Sequence, residues 1–184
     1  MKRAIIAPPA LSSAALTELK AWLGISRSAD DAELAALLRT AFEICEGFIG
    51  AMPLQSGCEE TLDASGEWQV LSARPVRAIT ALAALDLAGT RTALAGSDYE
   101  FDIDADGAGR VRLRRPTGQT RIVATYSAGL AADWAGLPDA IRHGVIRLCA
   151  HQHRGRDDDR KAAPAVPPSV VAALWRPWRR MRLA

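Results

Sequence analysis

One stretch, a strand and loop leading into an amphipathic helix, constrains the fold of this chain more than any other. Residues 120–126 have the pattern of a strand, and the chain then breaks at Gly129 and Gly136. Pro138 suits the first position of a helix, where no backbone N–H is needed. Residues at helical spacing follow, with an apolar stripe of Ile141, Val145, Leu148 and Cys149 and a basic face of His143, Arg147, His151 and Arg154. The pattern predicts a helix at about 138–155 with one buried side and one basic side.

Two amphipathic helices are predicted before it, at about residues 12–24 and 28–50. Gly24 suits the end of the first helix. Ser28 and Asp31 resemble a capping box at the start of the second. The predicted apolar stripes are Leu16, Leu19 and Leu23 in the first helix, and Leu34, Leu38, Ala41, Cys45 and Phe48 in the second. Such a pair needs a further element to bury its stripes.

Between about residues 59 and 127 the pattern changes to short apolar runs broken by glycines, which indicates strands and turns. The clearest piece is a hairpin that turns at Asp106-Gly107. In the register where the two residue numbers of each cross-strand pair sum to 214, one face of the hairpin is apolar and the other pairs opposite charges. The pairs predicted in this register are Phe101 with Leu113, Ile103 with Val111, Asp102 with Arg112 and Glu100 with Arg114.

These patterns predict an α+β fold: a small helical-bundle core, an inserted antiparallel β region and an extended C-terminal arm. We expect a single domain over 1–158, and a charged, proline-rich linker with the arm over 159–184. No run of about 18 apolar residues occurs, so we expect a soluble protein made in the cytoplasm, without membrane contact. The three cysteines are odd in number and widely spaced, which favours buried core thiols over disulfides.

The candidate chemical sites are weak. Asp102, Asp104 and Asp106 followed by glycine resemble the start of a calcium loop, but the last ligand position is Leu113, which favours a charged turn. The alternating Cys149, His151 and His153 would not converge on one ion from a helix. No motif for nucleophilic catalysis or phosphate binding occurs. We therefore expect no enzyme, catalytic residue, metal or cofactor.

The C-terminal segment is the most informative functional feature. Residues 154–184 carry eight Lys or Arg and three Asp, which leaves 15 basic and 18 acidic residues before them. Tryptophans alternate with arginines at the end of the chain, and both are enriched at the energetic centres of protein interfaces. The same composition could bind nucleic acid by base stacking and phosphate neutralisation, or form a solvated tail.

The order of these features resembles the head-tail connector (adaptor) proteins of long-tailed phages and gene transfer agents. The most specific part is residues 129–156, with Leu-Pro before the helix and an Ala-His pair near its end. The resemblance extends to the opening Leu-x-x-Leu-Lys-x-Trp-Leu-Gly-Ile helix, the helix from Asp30, Arg-Pro-Val at 74–76 and Tyr99. The ending Leu-Trp-Arg-Pro-Trp-Arg-Arg resembles the family's Leu-x-x-Pro-Tyr-Arg, with Trp178 where tyrosine is usual.

The resemblance implies a structural subunit that forms a ring of twelve copies beneath the portal, in the neck of the particle. One side of the ring would bind the portal and the other the next neck or tail-completion protein, and DNA would pass through the hole without sequence-specific contact. It implies that the C-terminal arm binds the portal through Leu174, Trp175, Arg176, Trp178, Arg179, Arg180 and Arg182. The alternative, from composition, is a DNA-binding protein that uses the basic Trp/Arg tail.

Overall fold

The structure, a computed structural model, describes residues 2–9, 12–155 and 167–179. The chain divides into two compact units: unit 1 is Met1–Pro9 with Leu54–Leu130, and unit 2 is Ala10–Pro53 with Ala131–Ala184. Unit 1 is built of strands and unit 2 of helices, so the predicted α+β class is confirmed. Among the described residues, no helix is both long and apolar enough to cross a bilayer.

Unit 1 contains two antiparallel sheets. The five-stranded sheet has the order β1-β2-β8-β4-β5, and the three-stranded sheet has the order β3-β7-β6. The strands are β1 (Lys2–Ala7), β2 (Ser56–Asp63), β3 (Gln69–Val70), β4 (Val76–Leu85), β5 (Arg91–Ala93), β6 (Tyr99–Ile103), β7 (Gly109–Leu113) and β8 (Arg121–Ala128). The strand predicted at 120–126 is therefore confirmed, with a slightly later end.

The first strand was not predicted from the sequence. β1 pairs with β2 at the edge of the larger sheet, with an irregularity between Ile5 and Ala7. Ile5 and Ile6 are 45% and 51% exposed, and no described side chain of this strand is buried. With neither face buried, β1 lacks the alternation that reveals a half-buried strand.

A buried carboxylate lies inside unit 1. Glu60 is 1% exposed, and its Oε2 accepts hydrogen bonds from the Ser72 N–H, the Ser72 hydroxyl and the Tyr126 hydroxyl, each at 2.9 Å. Burial, followed by the adjacent Glu60 charge, raises the pKa of Tyr126. The neighbouring Glu59 points the other way and pairs with Arg91 at 2.8 Å. Adjacent side chains of a strand point to opposite faces, and Glu60 joins the sheet to the loop that carries Ser72.

The hairpin of β6 and β7 exists, but the predicted register is wrong by two residues. The observed pairs are Tyr99 with Leu113, Glu100 with Arg112, Phe101 with Val111, Asp102 with Arg110 and Ile103 with Gly109. The turn is longer than expected because the Asp104 carboxylate accepts the Ala108 N–H at 2.7 Å. A shift of two preserves the faces, so the charges still pair: Asp102 binds Arg110, and Glu100 binds both Arg112 and Arg114.

Unit 2 is formed by helices α1 (Ser13–Leu23), α2 (Asp31–Ile49), α3 (Asp139–Gly155) and α4 (Ser169–Trp175), followed by a 3-10 turn (Arg176–Trp178). Ser12 caps α1 by accepting the Ala14 N–H at 3.0 Å. The capping box predicted at Ser28 and Asp31 is wrong. The Asp31 carboxylate instead pairs with Lys20 at 2.6 Å, which joins α2 to α1.

The apolar stripes of α2 and α3 agree largely with prediction, whereas in α1 only Leu19 of the predicted stripe is buried, together with Ala15. α2 buries Leu34, Leu38, Ala41, Cys45 and Ile49, so Ile49 takes the buried position predicted for Phe48. α3 buries the four predicted residues and also Gly144, Ile146 and Ala150. The buried face of α3 is wider than expected because this helix packs against α1, α2 and α4.

Candidate functional site

The C-terminal segment begins as a short helix that is part of the core of unit 2. The Pro168 carbonyl accepts the Ala172 N–H at 2.9 Å in the first turn of α4. Val171 and Trp175 are buried. The α-helix ends at Trp175 and becomes a 3-10 turn that contains Pro177, a residue without the backbone N–H that a longer α-helix would need.

Trp175 is the central contact between α4 and the other helices. Its side chain is 0% exposed, and its indole N–H donates to the Ile141 carbonyl at 3.3 Å. Its ring lies 6.0 Å from the ring of Phe48 on α2. Gly144 on α3 makes room for the indole, since a Cβ built there would lie 2.7 Å from Cε2. Trp175, named above among the residues that the resemblance implies for portal binding, is thus a core residue: its side chain fixes α4 to α3 and α2.

The side chains beyond Trp175 form an exposed tip. Arg176 and Arg179 are exposed, and Trp178 is 38% exposed. The Arg179 guanidinium lies 5.5 Å from the centre of the Phe48 ring, which orients it on the side of α2. Leu174 is half-buried. The structure thus brings together Arg176, Trp178 and Arg179, whereas Arg180 and Arg182 lie outside the described residues.

A groove on the same unit was not predicted. It has a volume of about 220 Å³ and is lined by Trp22, Arg147, Ala150, His151, Arg154, Pro168, Val170 and Val171. Its apolar part is open to solvent, with Trp22 46% and Val170 52% exposed. The basic face of α3 was visible in the sequence, but its position beside Trp22 and α4 depends on how three separate helices pack.

The basic side chains around this groove have a defined arrangement. The Arg147 guanidinium lies 5.7 Å from the centre of the Trp22 ring, and its Nε donates to His143 at 3.3 Å. The His143 ring meets the edge of Trp22 at 5.3 Å. Neither Arg147 nor Arg154 has an ion pair with a carboxylate of the described residues. The groove therefore combines an apolar floor with two cationic groups that are not neutralised by any carboxylate of the described residues.

The structure assigns a packing role to two of the cysteines. Cys45 and Cys149 are buried free thiols in α2 and α3. Burial raises the pKa of Cys149 to about 12 and also raises that of Cys45. Both thiols are thus protonated and unreactive at neutral pH. No group of three or more His, Cys, Asp or Glu among the described residues could hold a metal ion.

No protein-family model and no curated protein sequence matches this chain. Solved structures do match, and each of the three described next aligns over 100% of this chain and 98% of its own matching chain. One is the neck of an empty gene transfer agent (GTA) particle computed with C6 symmetry, at 28% identity and a TM-score of 0.75. A second is the virion of a native GTA particle, at 28% and 0.73. A third is the neck of a native GTA particle computed with C12 symmetry, at 27% and 0.77. The resemblance to the connector family is confirmed, and the chain has the fold of a structural neck protein.

Proposed function

Because the chain shares its full-length fold with neck proteins of a gene transfer agent, we propose that it is the head-tail connector subunit of a phage-like particle. Copies of the chain form a ring beneath the portal and join the head to the neck and tail. DNA passes through the hole of the ring without sequence-specific contact. The other side of the ring receives the next neck or tail-completion protein.

The match to a neck computed with C12 symmetry carries this proposal and supports a ring of twelve copies. A closed ring of identical subunits uses two different patches on each subunit, one for each neighbour. The role is structural, so it depends on surface shape and charge rather than on a catalytic centre.

The exposed tip of the C-terminal arm is the proposed portal contact. Trp178 supplies a large apolar surface, and Arg176 and Arg179 supply charge, a combination that is enriched among residues that dominate interface energies. Leu174 borders this tip, and we assign Arg180 and Arg182 to the same contact from the family resemblance. Trp175 supports the tip indirectly by fixing α4 to the helices of unit 2.

Attachment of the ring depends on many copies of a weak contact. Each arm binds one portal site, and each bound arm raises the effective concentration of the next arm at its own site. A contact too weak to hold one subunit can therefore hold a closed ring. The arginines favour acidic groups on the portal, and such contacts weaken as salt screens them.

The test is a pull-down of purified chain by assembled portal rings, followed by electron microscopy. The test variant replaces Arg176, Trp178 and Arg179 by alanine, and leaves Trp175 in place to preserve the core. Arg39→Ala, an exposed arginine on α2, is the matched control. We expect a ring on the portal with wild type and control, and loss of that ring with the test variant. Thermal denaturation checks that all three chains fold alike.

Two results would contradict the proposal. If the ring forms equally well with the test variant, the exposed tip of the arm is not the portal contact. If no chain binds the portal and the wild type binds duplex DNA in a salt-sensitive manner, the protein belongs to the nucleic-acid class instead.

A further inference from the structure

A leucine projects from unit 1 at the turn between β4 and β5. Leu87 is 92% exposed, the highest value among the large apolar side chains of the described residues. The turn is held by the Asp86 carboxylate, which accepts the Thr90 N–H at 2.7 Å, and by Gly89 at φ 87°. Leu87 is therefore presented on a fixed turn, next to an acidic side chain.

The groove of unit 2 has the opposite character. Its floor is apolar and is open at Trp22 and Val170. Its cationic groups at Arg147 and Arg154 have no carboxylate partner among the described residues. A matching partner would place an apolar side chain on this floor and a carboxylate near the two arginines. The Asp86-Leu87 turn offers both groups on adjacent residues.

A patch that fits a pocket elsewhere on the same molecule makes a head-to-tail contact between copies, and such contacts close into rings when the rotation allows. We propose that in the ring Leu87 of one copy inserts into the groove of the neighbouring copy. Asp86 then lies near Arg147 and Arg154 of that copy. This inference rests on the proposed function, because it names the contact between neighbouring subunits of the proposed ring.

The groove fits a protein side chain better than nucleic acid. The Arg147 guanidinium covers one face of Trp22 and His143 meets its edge, which leaves less of that ring for a stacked base. Val170, which is 52% exposed, gains nothing from a phosphate, whereas it buries apolar surface against a leucine.

Engineered disulfides test the contact directly. One chain carries Leu87→Cys and another carries Val170→Cys, and the two are mixed on portal rings and mildly oxidised. The native cysteines are buried, so the new thiols are the reactive ones. We expect a covalent dimer on a non-reducing gel from the mixture, and none from either chain alone. A mixture of Leu87→Cys with Thr40→Cys, which is exposed on α2, is the matched control and should give none.

A substitution gives an independent readout. Leu87→Asp should reduce the fraction of portals that carry a ring by about tenfold or more, because each contact loses a buried leucine. Leu87→Met should retain the ring. Since Leu87 is almost fully exposed, neither change should alter folding, and thermal denaturation of the free chains checks this.

The outcomes separate this inference from the proposed function. If wild-type rings form on the portal but the Leu87→Cys and Val170→Cys mixture gives no dimer, the contact is wrong and the connector role stands. If Arg154→Glu abolishes salt-sensitive DNA binding and no dimer forms, the groove binds nucleic acid and the contact is wrong. If wild-type chain forms no ring on the portal, the proposed function fails and this inference fails with it.

Discussion

At the scale of single residues, the fit between Gly144 and Trp175 determines whether α4 stays in place. A Cβ at position 144 would overlap the indole. We expect Gly144→Ala to destabilise unit 2 by about 1–3 kcal/mol, because overpacking forces the indole or the helix to move. Thermal and urea denaturation measure the change, and increased proteolysis near α4 would locate it.

Gly47→Ala is the matched control for this prediction. Gly47 also lies within a helix, but a Cβ built there meets nothing within 4 Å. Alanine has a higher helix propensity than glycine by about 1 kcal/mol, so this change should be neutral or stabilising. Equal stability of the two variants would show that the indole does not depend on the space at Gly144.

The sequence was sufficient to predict most buried positions within the helices, but it did not predict Trp175. The stripes of α2 and α3 follow from local periodicity, which depends only on neighbouring turns of the same helix. The burial of Trp175 depends on a glycine 31 positions earlier and on Phe48. No local pattern distinguishes a tryptophan that fills such a notch from Trp178, which stays partly exposed three residues later.

At the scale of elements, the hairpin of β6 and β7 shows where register prediction fails. The alternation of apolar and charged residues correctly predicted which side chains share a face of the hairpin. A two-residue change in register leaves every side chain on the same face. The alternation could not fix the turn, since the Asp104 carboxylate selects a longer loop by accepting the Ala108 N–H. β1 was missed for a different reason, namely that an edge strand with both isoleucines half-exposed has no alternation to detect.

The buried thiols of α2 and α3 should make the free energy of unfolding depend on pH. Burial raises the pKa of Cys45 and Cys149 in the folded chain, whereas unfolded thiols ionise at about pH 8.5. Above that pH the unfolded state releases protons that the folded state keeps, so the free energy of unfolding falls. The expected loss is about 1.4 kcal/mol per pH unit for each thiol, until the folded thiol also ionises.

Urea denaturation between pH 7 and pH 10.5 measures this loss. Cys149→Ala removes one titrating thiol, so the slope of stability against pH should become shallower, whatever the change in absolute stability. An unchanged slope in this variant would mean that Cys149 ionises at a similar pH in the folded and unfolded chains.

At the scale of the whole molecule, the proposed ring should lose attachment steeply as arms are removed, because in the proposal it is held by repeated weak contacts. Wild-type chain is mixed with increasing fractions of the Arg176, Trp178 and Arg179 alanine variant before assembly on portal rings. We expect ring retention to fall faster than the wild-type fraction. Each missing arm also lowers the effective concentration of the neighbouring arms at their own portal sites. Negative-stain counting of occupied portals measures retention.

Arg39→Ala chain in the same mixtures is the control, and it should leave retention unchanged at every ratio. A linear decline with the arm variant would indicate that each arm binds independently. In that case the affinity of a single arm would be sufficient for attachment.

At this scale the sequence predicted the α+β class and the resemblance to connector proteins, which the solved necks of GTA particles confirm. It did not predict the groove at Trp22, since that surface is assembled from α1, α3 and α4. The same limit applies to the exposed tip. Its composition was evident in the sequence, but the separation of Trp175 from Trp178 required the packed helices.

The interleaving of the two units has a consequence for synthesis. Unit 1 needs the first nine residues together with Leu54–Leu130, and unit 2 needs Ala10–Pro53 together with the C-terminal segment. As the chain leaves the ribosome, α1 and α2 emerge long before α3 and α4 can cover their apolar faces. Neither unit can therefore complete its core from one continuous stretch, so folding waits for distant segments and is slow by the contact-order relation. A nascent chain that still lacks Trp175 also lacks the side chain that joins α4 to α3 and α2, so unit 2 keeps apolar surface exposed until that residue emerges.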